Sequence, residues 1–444
     1  MIIKRRKKVN VDANAEIYRI NKEYRIVSLK GNKCSLFFKN KQNMLRATLD
    51  GCDKFLNTIT INSEKDLSDE EKGYLLSFIR AKDYSLSKEA ADVLGVSIIK
   101  YEDGREEYLS QRLLLKRIAS GLNFAKVYVG KLKIYQLDIP EDTRNVSYNL
   151  AKAEIVKLVV GENCAINIDL RDNDYVESLL VRDKFTGTLS LSRTSLESVF
   201  IGNNCRCNMV LSDSKKCLNV QIADICSGNI NITNSCMYAL AIGYYSYADV
   251  MLSNNVIKKE ITIGDAFRGG IYATNQNAEI FRLGNDFKGW IKLNNQMKSV
   301  GVDRLEVGYD FTGNINMSGD NSIRTVNIGD KNTGKLIASY ASMLERVNLG
   351  KYFNGNVDLS GSSTHEMYVG YGASGRVNLQ GCKNFKVLQA SVDNDLYIDG
   401  DIKSVDALSD ENYVSYYFED IKPRWRHVPF YKRIYNSWAN RSQV

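Results

Sequence analysis

Proline is nearly missing from this chain: three occur in 444 residues. That excludes a collagen-like chain and a proline-rich disordered one. Histidine is scarcer still, with only His365 and His427. A Cys–His or Ser–His nucleophile has almost nothing to draw on, and the common histidine-containing zinc sites are out of reach. The nine cysteines are odd in number and none forms a CxxC pair, which argues against structural zinc. No stretch approaches the roughly 18 consecutive apolar residues of a membrane span. The start, MIIKRRKKVNVDANAEIYRI, is basic with no apolar segment behind it, so no secretory signal peptide is expected. Together these absences favour a cytoplasmic protein with free thiols, with non-classical export left open. Neither a metal nor a cofactor is expected. The net charge of +8 is mild for this length.

What the chain does have is a recurring phrase. RVNLGKYFNGNVDL (346–359) has partners in RLEVGYDFTGNINM (304–317), IFRLGNDFKGWIKL (280–293), EITIGDAFRGGIYA (260–273) and EMYVGYGASGRVNL (366–379). With the bend residue as position zero, the copies fall at 161, 182, 202, 223, 243, 264, 284, 308, 329, 350, 370 and 389. Nine of these twelve are glycine; Arg182, Ala223 and Gln389 are the others. Such a period of about 20–21 residues is the mark of stacked repeats. The long gap after 284 holds a small insertion near 296–302, and a weaker copy starts at Val127, with Leu137 and Ile139 in register.

The residue before zero is aliphatic in every copy, position seven is apolar in every copy, and position nine nearly as strict. Two alternating apolar pairs per copy describe two short half-buried strands. Identical phrases of one polarity must pair in parallel. Position three holds Cys164, Phe185, Cys205, Cys226, Ser246, Phe267, Phe287, Phe311, Asn332, Phe353, Ala373 and Val392. In a stack this becomes a ladder with phenylalanines offset by about 4.8 Å. Glycine recurs at position five in eight copies, where a bend or the close approach of the next coil needs it. The pattern therefore predicts a mainly β fold: a parallel β-solenoid of about 12 coils, with a small helical insert and a C-terminal cap. Its length would be roughly 60 Å.

One family likeness follows from these residues. LERVNL (344–349) resembles the L-x-x-L-x-L core of leucine-rich repeats. IGDAFRG (263–269) is similar to the glycine–aromatic turn of the BspA-like bacterial class. The likeness is loose and spans most of 155–398. It lacks the asparagine ladder in its usual place. The resemblance implies a bacterial binding or adhesion surface and no catalysis.

Four segments are expected: 1–62, a basic N-terminal segment for which degenerate coils are one reading; 63–121, a helical insert or cap; 122–403, the solenoid; and 404–444, a basic aromatic C-terminal cap. Residues 1–50 carry 13 Lys/Arg against 4 Asp/Glu. In the second segment Ser68 and Glu71 have capping-box spacing, and three helices are expected. Within it, LSKEAADVLGVS resembles the first half of a bacterial helix-turn-helix. The acidic IIKYEDGREEYL that follows is unsuited to phosphates. The last segment places Phe430, Tyr431, Ile434, Tyr435 and Trp438 at helical spacing, with Lys432, Arg433 and Arg441 opposite. Lys432, Arg433 and Trp438 are candidates for membrane or partner contact, beside the plainer role of capping the last coil.

Chemistry is thinly represented. Outward positions six and eight are dominated by asparagine, suited to amide ladders between coils. The acids Asp169, Asp249, Asp358 and Asp395 stand coils apart, beyond the roughly 10 Å of paired acid–base work. Cys164, Cys205 and Cys226 occupy ladder positions, where cysteine acts as a small hydrophobe. The candidate binding surface is a corner bearing Tyr244, Tyr245, Tyr247, Tyr309, Tyr352 and Tyr371. Exposed tyrosine on a rigid support suits protein or glycan contact; stacking between coils with the hydroxyls in water is the structural alternative. The expected function is a non-catalytic repeat scaffold, a monomer or weak oligomer, presenting an extended surface to a protein or glycan partner. Two rivals stand beside it: a nucleic-acid- or anionic-membrane-associated protein acting through its basic ends, and a self-assembling filament.

Overall fold

The computed structural model describes residues 88–408, except 121–123, 131–132, 217, 296–300, 383, 392–393 and 401–404. It also describes six strands ahead of them. The chain divides into two compact units, one of Met1–Ile134 with Asn145–Ile155 and one of Tyr135–Arg144 with Val156–Val444.

The larger unit is a parallel β-solenoid of about twelve coils. Each coil gives one strand to each of two sheets. Sheet 1 runs from Lys133–Ile139 through Arg346–Leu349 to Val405–Leu408, and the coils' strands of sheet 2 run from Ala165–Asp169 through Asn354–Asp358 to Asp395–Asp399. Successive coils pair residue for residue, as in Val326 with Val347 and Leu336 with Val357. Alternation decides what faces in. In the coil that begins at Arg346, Val347, Leu349, Phe353, Val357 and Leu359 are all 3% exposed or less. Phe267, Phe287 and Phe311 stack along the interior with centroids 5.3 and 5.4 Å apart. Where the ladder holds a polar residue, that residue bonds to backbone: Asn332 Nδ2 donates to the carbonyls of Gly308 and Gly329, both at 2.9 Å.

The corners are built by backbone geometry. Position two is left-handed in ten coils, from Asn163 to Tyr352, with φ between 54° and 60°. At Gly350 a Cβ would lie 2.3 Å from the carbonyl of Gly329. At position five the glycines lie inside sheet 2 rather than at a bend. Gly313 has φ 152°, and a Cβ there would lie 1.7 Å from the oxygen of Gly289. Side chains at position one tie corner to corner: Asp183, Asp224 and Asp330 each accept the backbone N–H at the same position of the next coil, at 2.8 Å.

A buried polar spine runs along the second corner, twelve residues past zero in most coils. Asn255 Oδ1 accepts the Ser235 N–H at 3.0 Å, and Asn255 Nδ2 donates to Gln276 at 3.1 Å. Asn295 Oδ1 accepts the Gln276 N–H at 2.7 Å. The spine reaches Asp320, fully buried, whose carboxylate accepts from Asn295 N and Nδ2, Ser322 N and Oγ, and Ile323 N. Five donors satisfy a group that would otherwise be costly to bury.

Several expectations change in register. Val369 pairs with Ala390 and Arg376 with Tyr397. Zero of the last copy is therefore Ser391 rather than Gln389, and its ladder residue is Asn394, not Val392. Asn394 Oδ1 accepts the Ala373 N–H at 2.8 Å, as Asn332 Oδ1 accepts the Phe311 N–H. An unnoticed coil has Pro140 at zero: Ile139 O accepts the Gly161 N–H at 2.9 Å, the bond that joins every zero to the coil before it. Leu137 and Ile139 thus belong to sheet 1, half a coil out of the phase assigned to the copy at Val127. Sheet 1 also continues beyond 403, since Val405–Leu408 pairs in parallel with Val387–Ser391.

The smaller unit begins with an antiparallel meander of Glu16–Arg19, Tyr24–Leu29, Lys33–Phe38, Met44–Asp50 and Thr58–Asn62. Degenerate coils would pair in parallel, so these strands are not coils. Two helices follow among the described residues, α1 (Lys88–Leu94) and α2 (Gln111–Ala119). The third expected helix, around 67–82, lies outside them. EEYL is a strand and not the start of α2: Glu106–Leu109 pairs antiparallel with Ser97–Tyr101 around Gly104, at φ 84°. The segment after α1 is thus a hairpin and not a recognition helix, because Ile98, Ile99 and Tyr101 favour a strand and Asp103-Gly104 a turn.

Candidate binding surface

The six corner tyrosines do not form one patch. Tyr244, Tyr245 and Tyr247 share a coil. Tyr309 stands three coils on, Tyr352 two further, and Tyr371 on the next. Tyr245 is 70% and Tyr247 67% exposed, while Tyr244 is half-buried. Tyr352 meets Tyr371 edge-on with centroids 5.5 Å apart, and its ring covers Gly372 of the next coil. Tyr245 and Tyr352 are left-handed at φ 54° and 56°, a conformation that costs a non-glycine residue about 1 kcal/mol. Lys432, Arg433 and Trp438 lie outside the described residues.

The outward face of sheet 2 holds a denser group. Three consecutive coils contribute Tyr247 and Met251, then Arg268 and Tyr272, then Lys288, Trp290 and Lys292. Register sets Tyr247 beside Arg268, Met251 beside Tyr272, and Arg268 beside Lys288. Alternation makes this face: these residues occupy positions four, six and eight, while Val250, Ile271 and Ile291 between them are buried. Trp290 lies over Gly270, where a Cβ would come within 2.2 Å of the indole. It meets Tyr272 edge-on at 5.8 Å and is 45% exposed. Lys292 Nζ donates to the Tyr272 hydroxyl at 2.8 Å. None of the ion pairs among the described residues involves Arg206, Arg268 or Lys288. From Arg206 to Lys292, the outward positions four, six and eight hold four cations and one carboxylate, Asp249. Sequence reading missed this group because it sampled positions six and eight in other coils, where asparagine prevails; tabulating coils 264 and 284 finds Tyr272 and Trp290.

The polar side chains of this face are largely committed to the fold. Asn167 accepts the Thr188 N–H, Asn208 the Asn229 N–H and Asp249 the Gly270 N–H, each at 3.0 Å. Asp169 is paired with Arg171 at 2.8 Å. Among the described residues, no group of three or more His, Cys, Asp and Glu is placed to hold a metal ion.

Three of the four interior thiols are likewise quiet. Cys164, Cys205, Cys207 and Cys226 are buried and free. The hydrogen bond with Cys226 and burial push Cys205 up, and burial pushes Cys207 up to about 12. Nucleophilic sulfur is thiolate, so Cys205 and Cys207 stay protonated, while the same hydrogen bond from Cys205 holds Cys226 below the ordinary thiol range. Cysteine and serine replace phenylalanine here and leave a small cavity against Ile201, Met209, Ile222 and Ile242.

No protein-family model matches the chain, and neither a curated protein nor a solved structure is significantly similar to it. Among the described residues no helix is long and apolar enough to cross a membrane.

Proposed function

We propose that this protein is a non-catalytic repeat scaffold that binds an extended macromolecule along the outward face of sheet 2. The observation that carries this reading is the exposed Tyr247, Met251, Tyr272 and Trp290 on three consecutive rigid coils. Aromatic side chains on a rigid support contribute contact area at little entropic cost. The resemblance of 344–349 to leucine-rich repeats and of 263–269 to their BspA-like class supports the same kind of role, a binding surface of bacterial type. The Tyr245 and Tyr247 corner adjoins the face and extends it.

The test compares two surfaces. A panel of nucleic acids, glycans and acidic peptides is screened against the full chain, then against Tyr272→Ala/Trp290→Ala and against Glu260→Lys on sheet 1. The expected outcome is a ligand whose binding falls at least tenfold in the first variant and holds in the second. Equal binding by both variants would falsify the assignment to sheet 2.

A further inference from the structure

The sheet 2 face has two properties at once: flat exposed rings, and cations without carboxylate partners among the described residues. Resting on the reading above, we infer that its ligand is a single-stranded nucleic acid, held by base stacking on Trp290 and Tyr272 and by phosphate contacts to Arg268, Lys288 and Lys292.

Three features of the face point this way. First, its charge complements a polyanion. Arg206, Arg268 and Lys288 all occupy position four and are exposed, so cations recur along one edge in register through Ser227 and Tyr247. The one carboxylate at these outward positions, Asp249, accepts the Gly270 N–H at 3.0 Å. Second, the rings are presented for stacking. Trp290 lies over Gly270 and turns its other side outward; a side chain at 270 would lift the indole off the sheet. Lys292 is 5.0 Å from the Tyr272 ring centroid and bonded to its hydroxyl at 2.8 Å, which steadies that ring. Third, the amide oxygens of Asn208 and Asn167 are already taken by backbone N–H groups of neighbouring coils, which leaves a neutral sugar only their Nδ2 groups.

Aromatic rings interleaved with cations are the physical recipe for binding single strands without sequence preference: every base has a π-face, and every phosphate a charge. A duplex hides its base faces and offers only the second contact. Four coil steps from Arg206 to Lys288 span about 19 Å, room for a short site of about four nucleotides.

The experiment is fluorescence anisotropy with labelled 12-nucleotide oligo-U and oligo-dT, a 12-base-pair duplex and polygalacturonate, using the full chain at several salt concentrations. Because the chain's basic N-terminal segment can also hold polyanions, differences between variants carry the result. Trp290→Ala is expected to weaken oligonucleotide binding about tenfold or more with an unchanged salt slope. Arg268→Gln/Lys288→Gln is expected to weaken it and reduce the slope by about 1.4, at roughly 0.7 per single-strand contact. Thermal midpoints should stay within a degree or two of the parent, which separates loss of binding from loss of fold. Duplex binding as tight as single-strand binding, or oligonucleotide binding indifferent to these variants, overturns the inference. If polygalacturonate binds in a Trp290-dependent way and oligonucleotides do not, the nucleic-acid assignment falls while the sheet 2 scaffold stands. If Trp290→Ala changes the binding of no probe, both fall.

Discussion

On sheet 1, Arg282 reaches Glu306 at 2.8 Å and Glu260 at 3.4 Å, and Arg346 reaches Glu366 at 2.7 Å. Asn348 donates to Asn327 at 2.6 Å, and Glu306 is 7% exposed. On sheet 2 of the same coils, Arg268 and Lys288 reach no carboxylate among the described residues, and Trp290 and Tyr272 are 45% and 36% exposed. Both faces rest on one parallel ladder of one period. Sheet 1 spends its polar groups on itself, coil against coil, and has little left to offer a ligand. Sheet 2 spends amide oxygens on backbone capping and leaves rings exposed and Arg268 and Lys288 outside every ion pair among the described residues. A repeat therefore makes a scaffold, and its departures from the repeat make a surface.

The strongest way to break this comparison is to remove the support beneath sheet 2. Gly313→Val puts a branched side chain at φ 152° against the oxygen of Gly289, and should cost about 3 kcal/mol or more. Thr325→Val, half-buried on sheet 1, should stay within about 0.5 kcal/mol. Urea midpoints check both, and equal costs would mean that glycine stacking is not what positions sheet 2.

Cys207 gives a smaller effect in the same column. Its thiol is pushed up to about 12 in the fold against 9.0 ordinarily. The unfolded chain therefore loses this proton first as pH rises. The contribution is fully present below pH 9 and is lost between about 9 and 12, at up to about 1.4 kcal/mol per unit. Cys207→Ala should flatten that part of the stability curve, as measured by denaturant midpoints at pH 8, 9 and 10. An identical slope in the variant would show that burial of this thiol does not matter to folding.

Smallest is the change on sheet 1 itself. Glu306→Gln keeps the shape and removes the charge facing Arg282 and Arg304. The pairs are partly exposed on the arginine side, so about 1 kcal/mol is expected. Oligonucleotide binding should be untouched; a binding loss as large as that of Trp290→Ala would erase the distinction between the faces.

The inward rows were legible in the chain because alternation and a fixed period constrain every copy alike. Val347, Leu349, Phe353, Val357 and Leu359 fell where the pattern put them. Reading failed where a copy departs from consensus. Proline replaced the bend glycine at 140, and two residues of slippage moved zero from Gln389 to Ser391. The hairpin at 97–109 was hidden because a capped helical pattern beside it claimed EEYL, and cross-strand pairing is non-local. The candidate site was legible in part. Tyr247 was named from its exposure at a corner, but Trp290 and Tyr272 were not, since they belong to positions judged by their commonest residue.

Sequence by itself determined that this protein is a stack of parallel coils, with the identity of its core rows and the places where backbone crowds backbone. Those are properties of a period, and a period is written along the chain. Tertiary structure alone decided which outward residues meet across coils: Arg282 with two glutamates, Lys292 with Tyr272, Trp290 upon Gly270. These contacts join residues about twenty apart, and whether a charge finds its partner depends on register and on side-chain reach.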